Sequence, residues 1–194
     1  EQPPVDNWDR EPTEEEWRIA QSVPLHIPTA KCVNPNVIKT NPTPDLVPLT
    51  VLIVRSIQNQ RCISVLKVLL DSGSNTTQMH ERCLPLGAVP LLNKQTRTIK
   101  TASGSFESSQ SVNIHGMRLP EFTNHSVIDG IQAQLFNADC QYNLILGRDF
   151  LSQAGIDIKF SNKTVHWLDQ YINMKPQNYF NNGSYINSCF SNKD

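Results

Sequence analysis

The chain has 194 residues, with 17 lysines and arginines against 18 acidic residues, and its net charge is −1. A charge this close to zero gives no electrostatic basis for direct binding to nucleic acid or to a membrane surface. The longest apolar run is well short of the roughly 18 residues that a membrane-spanning helix needs, and the acidic N-terminus does not resemble a signal peptide. We therefore expect one cytoplasmic domain with tails.

The cysteines give no sign of a disulfide framework or a zinc site, because they are scattered widely along the chain without paired spacing. His80 and Cys83 are separated by two residues, but no second pair would complete a tetrahedral metal site. We therefore expect reduced thiols, no metal and no cofactor. The five cysteines are Cys32, Cys62, Cys83, Cys140 and Cys189.

Residues 1–47 hold most of the 13 prolines, no glycine and many acidic side chains. Such a composition cannot form a hydrophobic core on its own. Thr13 and Glu16 fit a capping box that would begin a short helix. We expect an acidic, proline-rich arm or linker over residues 1–47 and a folded domain over residues 48–170.

Short apolar strands begin at residue 48. The pattern predicts a hairpin that turns at residues 58–60, with a second strand ending at Leu70. Residues 65–70 are almost continuously apolar, as in a strand buried on both faces, and they run directly into Asp71-Ser72-Gly73. Gly73 permits the tight turn that this motif needs. Asp-Ser-Gly is also a common turn sequence, so the motif alone leaves a plain turn open.

The rest of the chain predicts more short strands and one short helix, and then a polar, asparagine-rich tail or linker over residues 171–194. A hairpin with Gly104 near its tip stands out among them. In chain order the predicted elements are a short helix or extended piece at 79–86, a hairpin at 96–107, strands at 111–115, 118–128, 131–136 and 144–147, a helix at 148–154, and strands at 156–160 and, last, 164–168.

A second motif lies far downstream, where an apolar strand is followed by Gly147-Arg148-Asp149. Together with Asp71-Ser72-Gly73 it resembles the retropepsins, the aspartic proteases of retroviruses and long-terminal-repeat retrotransposons, over residues 48–169. The resemblance implies a mainly β, retropepsin-type closed fold with a flap hairpin and one short C-terminal helix, completed as a symmetric homodimer. One or both chain ends would form the dimer sheet. With only one Asp-Ser-Gly motif, each chain would supply half a site.

The resemblance also implies roles for individual residues. Asp71 would be catalytic, and the two Asp71 carboxylates of a dimer would share one proton and activate a water molecule. The residues that would brace this active site are Ser72, Gly73, Gly147 and Arg148. The residues that would bind an extended peptide are Ser74, Asn75, Thr101, Ala102, Ser103 and Gly104, the last four being the flap tip.

Two positions depart from the family pattern. Asn75 stands where many retroviral members carry a carboxylate that pairs with the arginine after the downstream glycine. The partner of Arg148 therefore stays open between Asp149, Glu81, a backbone carbonyl and the Asn75 amide, which can accept a hydrogen bond. The flap, with Gly104 as its only glycine, is also less glycine-rich than retroviral flaps.

The resemblance implies an aspartic endopeptidase that processes a retrotransposon polyprotein, with extended segments of its own polyprotein as substrates, in a cytoplasmic virus-like particle. Two other classes stay open: a catalytically inactive retropepsin-like binding or scaffold module, and a purely structural β domain. The intact Asp71-Ser72-Gly73 favours the enzyme, because an inactive relative commonly loses the aspartate. The chain has no motif of serine hydrolases, zinc peptidases or phosphate-binding loops.

Overall fold

The computed structural model describes residues 45–101 and 104–188. Residues 1–44 of the predicted N-terminal arm, with its capping box, and the flap residues Ala102 and Ser103 lie outside the described residues. The described end of that arm forms a short strand, Leu46–Val47, instead of an unstructured linker. No helix within the described ranges has the length and apolar character needed to cross a membrane.

The described residues form mostly short β-strands. Two short helices, α1 (Arg148–Ala154) and α2 (Tyr185–Ser188), and two 3₁₀ turns, Glu81–Cys83 and Tyr179–Asn182, accompany them. The strands are β1 Leu46–Val47, β2 Leu49–Ile57, β3 Gln60–Leu70, β4 Gln78–His80, β5 Leu91–Thr101, β6 Gly104–His115, β7 Ile131–Phe136, β8 Leu144–Leu146, β9 Asp157–Lys159, β10 Thr164–Trp167, β11 Gln170–Asn173 and β12 Lys175–Pro176.

Six strands close into a barrel in the order β2-β3-β8-β4-β7-β6, because β6 returns to pair with β2. The closing pairs are Ser56 with His115 and Ile57 with Ile114. Leucines, valines and isoleucines from these strands fill the interior. β5 lies outside the closed set and pairs only with β6, so β5 and β6 form the hairpin expected for the flap. The mainly β, closed fold is thus confirmed.

The first hairpin has the turn that the sequence predicted. Gln58 and Asn59 both have positive φ angles, 47° and 62°, as a two-residue type I′ turn requires. β3 then runs antiparallel to β2 and ends at Leu70, directly before Asp71.

The predicted strand over residues 118–128 is wrong. Isolated bridges hold its two ends, one joining Arg118 to Ile53 and one joining Ile128 to Met117. Pro120 follows the first bridge, and a proline has no backbone N–H with which to continue a strand ladder. Leu119 and Phe122 are buried instead, so this loop packs into the core.

The C-terminal segment differs from the polar tail expected after residue 170. The strand β10, expected to be the last, is followed by β11 and by β12, which pairs with β1. Ile172, Met174 and Phe180 are buried. The sequence pattern did not reveal them because single apolar residues among asparagines show neither a strand nor a helix period.

This segment explains why β3 is apolar on both faces. Leu66, Val68 and Leu70 point into the barrel, whereas Val65 and Leu69 pack in a second cluster on the outside. The members of that outer cluster are Val47, Leu49, Val51, Ile53, Val65, Leu69, Tyr142, Tyr179, Phe180 and Tyr185. The strand that leads to Asp71 is therefore covered by barrel core on one side and by the C-terminal segment on the other.

A buried ion pair also attaches the C-terminal segment to the barrel. Lys175 Nζ lies 2.5 Å from Glu121 Oε1, and the two side chains are only 17% and 7% exposed. Glu121 also accepts a hydrogen bond from the Thr50 hydroxyl, at 2.8 Å, and one from the Tyr179 hydroxyl, at 3.3 Å. Because these donors share the buried carboxylate, the cost of burying its charge is offset.

We predict that Phe180→Ala lowers the free energy of unfolding by about 3 to 5 kcal/mol, the usual cost of deleting a buried phenylalanine ring. Urea denaturation measures this. The matched control is Ile63→Ala, since Ile63 is 88% exposed and its truncation should change stability by no more than about 0.5 kcal/mol. Equal effects of the two substitutions would contradict a packed C-terminal segment.

Candidate active site

Asp71 lies where two parallel strands end side by side. β3 and β8 run parallel, with Leu70 in register with Leu146. The Asp71 N–H donates to the Leu146 carbonyl at 2.9 Å, so the pairing continues one residue past β3. The Asp71-Ser72-Gly73 and Gly147-Arg148-Asp149 motifs, which are distant in sequence, therefore begin at the same place.

The turn after β3 holds the Asp71 carboxylate in place. The Gly73 N–H donates to Asp71 Oδ1 at 2.9 Å, and the Ser74 N–H donates to the Asp71 carbonyl at 3.2 Å. A Cβ atom at position 73 would lie 3.1 Å from Oδ1. Ser72, at the tip of the turn, is exposed. The carboxylate is thus positioned by its own turn, while the Ser72 side chain remains accessible.

Gly147 allows the second motif to pack directly on the first. A Cβ atom at position 147 would lie 2.7 Å from both the carbonyl carbon and the carbonyl oxygen of Thr76. The Arg148 N–H donates to the Ser74 carbonyl at 2.8 Å. Only glycine permits such a close approach of two backbones.

Thr77, which the sequence analysis gave no site role, and Asp149, which it named only as a candidate partner of Arg148, join the motifs. The Thr77 N–H and hydroxyl donate to the two Asp149 carboxylate oxygens at 2.9 and 2.8 Å. The Gly147 N–H donates to the Thr77 hydroxyl at 3.2 Å. Asp149 also accepts from the Phe150 N–H at 2.8 Å. One signal was present in the sequence: Asp149 lies in the first turn of the predicted helix, where the helix dipole stabilises a negative charge.

The open question of the Arg148 partner is answered by Asn75. Nη2 of Arg148 donates to Oδ1 of Asn75, whereas the Asp149 carboxylate is occupied by Thr77 and Phe150. This is a hydrogen bond from a charged donor to a neutral amide, where the resemblance to retropepsins implied an ion pair. Arg148 therefore joins its helix to the loop that follows Asp71.

Two of the residues expected to contact substrate, Ser74 and Asn75, line a cavity of about 430 Å³. Residues 73–76 form one wall and residues 97–99 of β5 form the other. Ser74 is partly committed, since its hydroxyl donates to the Thr76 carbonyl at 2.8 Å. Thr101 pairs with Gly104 at the end of the β5–β6 hairpin, and Ala102 and Ser103 lie outside the described residues.

A second cavity, of about 300 Å³, lies on the other side of the turn. Ser72 and Arg148 line it together with the last turn of α1 and with residues 156–158 and Phe160 of the β9 region. It therefore connects the tip of the Asp71 turn with the exposed ring of Phe160.

Cys83 is a poor alternative nucleophile. Cys62, Cys83 and Cys140 are free thiols. Burial raises the pKa of the Cys83 thiol, and the opposing effects of Asn143 and Arg82 are smaller. A raised pKa keeps the thiol protonated at neutral pH, and the protonated thiol is not the nucleophilic form.

Comparison with known proteins identifies the family of this chain. The family model for retroviral aspartyl protease matches residues 48–159, more than half of the 194 residues. The chain therefore belongs to the retroviral aspartyl protease family. It is also similar to a crystal structure of the retroviral protease-like domain of Ddi1 from Leishmania major, with 14% sequence identity, a TM-score of 0.40, and coverage of 69% of this chain and 96% of that chain. Among curated proteins no sequence matches.

We predict that Gly147→Ala destabilises the fold by about 1 to 3 kcal/mol, because the added methyl group meets the Thr76 backbone, which cannot rotate away. Thermal or urea unfolding measures the change. Gln153→Ala, an exposed position on the same helix, is the control and should alter stability by no more than about 0.5 kcal/mol. A stable Gly147→Ala protein would refute the close packing of the two loops.

Proposed function

We propose that this protein is an aspartic endopeptidase in which the Asp71 carboxylates of two identical chains form one active site. The observation that carries the proposal is the position of Asp71: it follows a strand covered on both faces, and its carboxylate accepts a hydrogen bond from the Gly73 N–H at 2.9 Å. Membership of the retroviral aspartyl protease family supports the same reaction.

Peptide hydrolysis without a covalent intermediate needs a base for the attacking water and an acid for the leaving nitrogen. Two adjacent carboxylates that share one proton supply both, as in the known aspartic protease dyad. The ionised Asp71 takes a proton from water as the oxygen attacks the peptide carbonyl carbon. The protonated Asp71 stabilises the developing oxyanion, and a proton then passes to the amine as the C–N bond breaks.

Among the described residues near the turn, each chain has one carboxylate that is available for catalysis, that of Asp71. Asp149 is the nearest acidic residue of the second motif, and both its oxygens are occupied by donors from Thr77 and Phe150. A second chain related by a two-fold axis would bring a second Asp71 to the first. The family generally functions as a dimer, which supports this arrangement.

We propose that the edge of β9 forms the dimer contact. In the described part of the chain β9 pairs with β10 alone, so its other edge is open for pairing with another strand. Phe160, just after β9, is 62% exposed and lines the same cavity as Ser72. Pairing β9 with its symmetry copy would cover Phe160 and bring the two Ser72 side chains toward the interface.

The proposed substrate is an extended peptide that lies between residues 73–76 and the β5–β6 hairpin. Such a peptide would add a strand, with backbone hydrogen bonds for affinity and side-chain pockets for choice. The family supports a polyprotein substrate, and we propose that it is the retrotransposon polyprotein in which this chain is made.

We predict that Asp71→Asn lowers peptide hydrolysis by a factor of about 100 or more, because the amide keeps the shape but cannot share a proton. Mass spectrometry of a peptide library incubated with each protein measures cleavage, and circular dichroism checks the fold. Asp129→Asn is the matched control: Asp129 also precedes a glycine, but its side chain is 88% exposed.

Full activity of the Asp71→Asn protein would end the aspartic protease proposal. If the folded, dimeric wild-type protein cleaves no library peptide and a longer precursor containing it does not cut itself, the inactive binding module becomes the better interpretation.

We predict that Phe160→Asp weakens the dimer by about tenfold or more, the effect of charging an anchor at an interface. Sedimentation velocity over a concentration series measures the dissociation constant, and activity should fall in parallel because each site needs two chains. Ile63→Asp is the control, an equally drastic change at an exposed position about 25 Å along β3 from Asp71. An unchanged dimer in Phe160→Asp would exclude the β9 edge.

A further inference from the structure

The cavity between the Asp71 loop and the flap hairpin contains one charged side chain. Its floor, residues 73–76, is glycine, serine, asparagine and threonine. Its opposite wall is formed by Arg97, Thr98 and Ile99 of β5. The guanidinium of Arg97 is thus the only formal charge among the residues that line this space of about 430 Å³.

Arg97 has no acidic partner within the described residues. It is exposed, and it takes part in neither ion pair of the described part of the chain. Glu107 is the acidic residue nearest to it on the hairpin, but Glu107 is in register with Thr98, while Arg97 is in register with Ser108. Successive residues of a strand point to opposite faces, so Glu107 lies on the other face.

Of the two acidic residues in the motifs, Asp71 does not line this cavity, and Asp149 is occupied by other donors. Asp149 accepts three hydrogen bonds from Thr77 and Phe150. Arg148, the other arginine near the cavity, donates to Asn75 Oδ1. The guanidinium of Arg97 is therefore left to interact with a ligand.

The floor adds neutral donors opposite the guanidinium. Because Asn75 Oδ1 accepts from Arg148, the Nδ2 group of Asn75 remains as a donor. Thr76 lines the same cavity and carries a hydroxyl group. A planar guanidinium facing amide and hydroxyl donors matches a carboxylate, which arginine binds with two parallel hydrogen bonds.

We infer that this cavity is a subsite for an acidic side chain of the peptide substrate, with Arg97 as the residue that selects it. This inference rests on the proposed endopeptidase function and adds the substrate class. Because a two-fold dimer presents the same subsite twice, acidic residues are preferred on both sides of the cleaved bond, at matching distances from it.

To test this, a random peptide library is incubated with the wild type, with Arg97→Gln or with Arg97→Glu. Mass spectrometry then identifies the peptides that each protein cleaves. The peptides are amidated at the C-terminus, so that their only carboxylates are side chains. The wild type should prefer glutamate to glutamine by about tenfold in kcat/KM at one pair of positions, the usual gain from a charge-assisted hydrogen bond. Arg97→Gln should remove this preference, and Arg97→Glu should replace it with a preference for lysine or arginine.

Arg61→Glu is the control for the change in net charge. Arg61 is exposed at the far end of β3 from Asp71, so its replacement should leave the preference at every position unchanged. Loss of the acidic preference in Arg61→Glu would mean that overall charge, and not the subsite, selects the peptide.

A binding measurement separates this inference from the endopeptidase proposal. The Asp71→Asn protein, with and without Arg97→Glu, is used to capture the same library. Enrichment of acidic peptides that disappears with Arg97→Glu supports the subsite even if the wild type cleaves nothing. Active wild-type enzyme that shows no acidic preference, or Asp71→Asn protein that captures acidic and neutral peptides equally, overturns it. A library with free C-termini shows whether a terminal carboxylate binds instead.

Discussion

The contact between Gly147 and the backbone of Thr76 determines how the rest of the site is arranged. A Cβ atom at position 147 would lie only 2.7 Å from the Thr76 carbonyl group. Any residue other than glycine would therefore force the two loops apart. Since the loops touch, the Thr77 hydroxyl can accept from the Gly147 N–H and donate to Asp149. The buried polar groups are satisfied within this network, which makes the loop after Asp71 rigid.

The position of Asp71 depends equally on the strand that precedes it. β3 has the barrel core on one face and the outer cluster on the other. The outer cover comes from the C-terminal segment, which the Lys175–Glu121 pair and the ring of Phe180 attach to the barrel. A region far from the motif in sequence therefore helps to hold the strand that presents the carboxylate.

In our proposal the site is chemically incomplete in one chain and is completed by a second, identical chain. Each chain offers Asp71, a flap hairpin, and a floor of neutral donors, while Asp149 is used to hold the loops together. The open edge of β9 and the exposed Phe160 lie beside the cavity that includes Ser72. In our proposal the dimer interface at the β9 edge therefore lies next to the active site.

Local sequence patterns were sufficient for several parts of the protein. The turn at residues 58–60, the end of β3 at Asp71 and the helix after Gly147 could be predicted, because turn residues, apolar runs and glycines act over a few neighbouring positions. The strand expected over residues 118–128 failed because Pro120 and the packing of Leu119 and Phe122 override a weak alternating pattern.

Only the tertiary structure decided which distant residues meet. Thr77 and Asp149 are 72 positions apart and become partners because β3 and β8 run parallel and end together. Arg97 and Asn75 line one cavity only because the β5–β6 hairpin lies across from residues 73–76, and Phe180 is recognisable as core only once it covers β3. Local patterns describe the period and the ends of strands, whereas such contacts arise from the order in which the strands assemble.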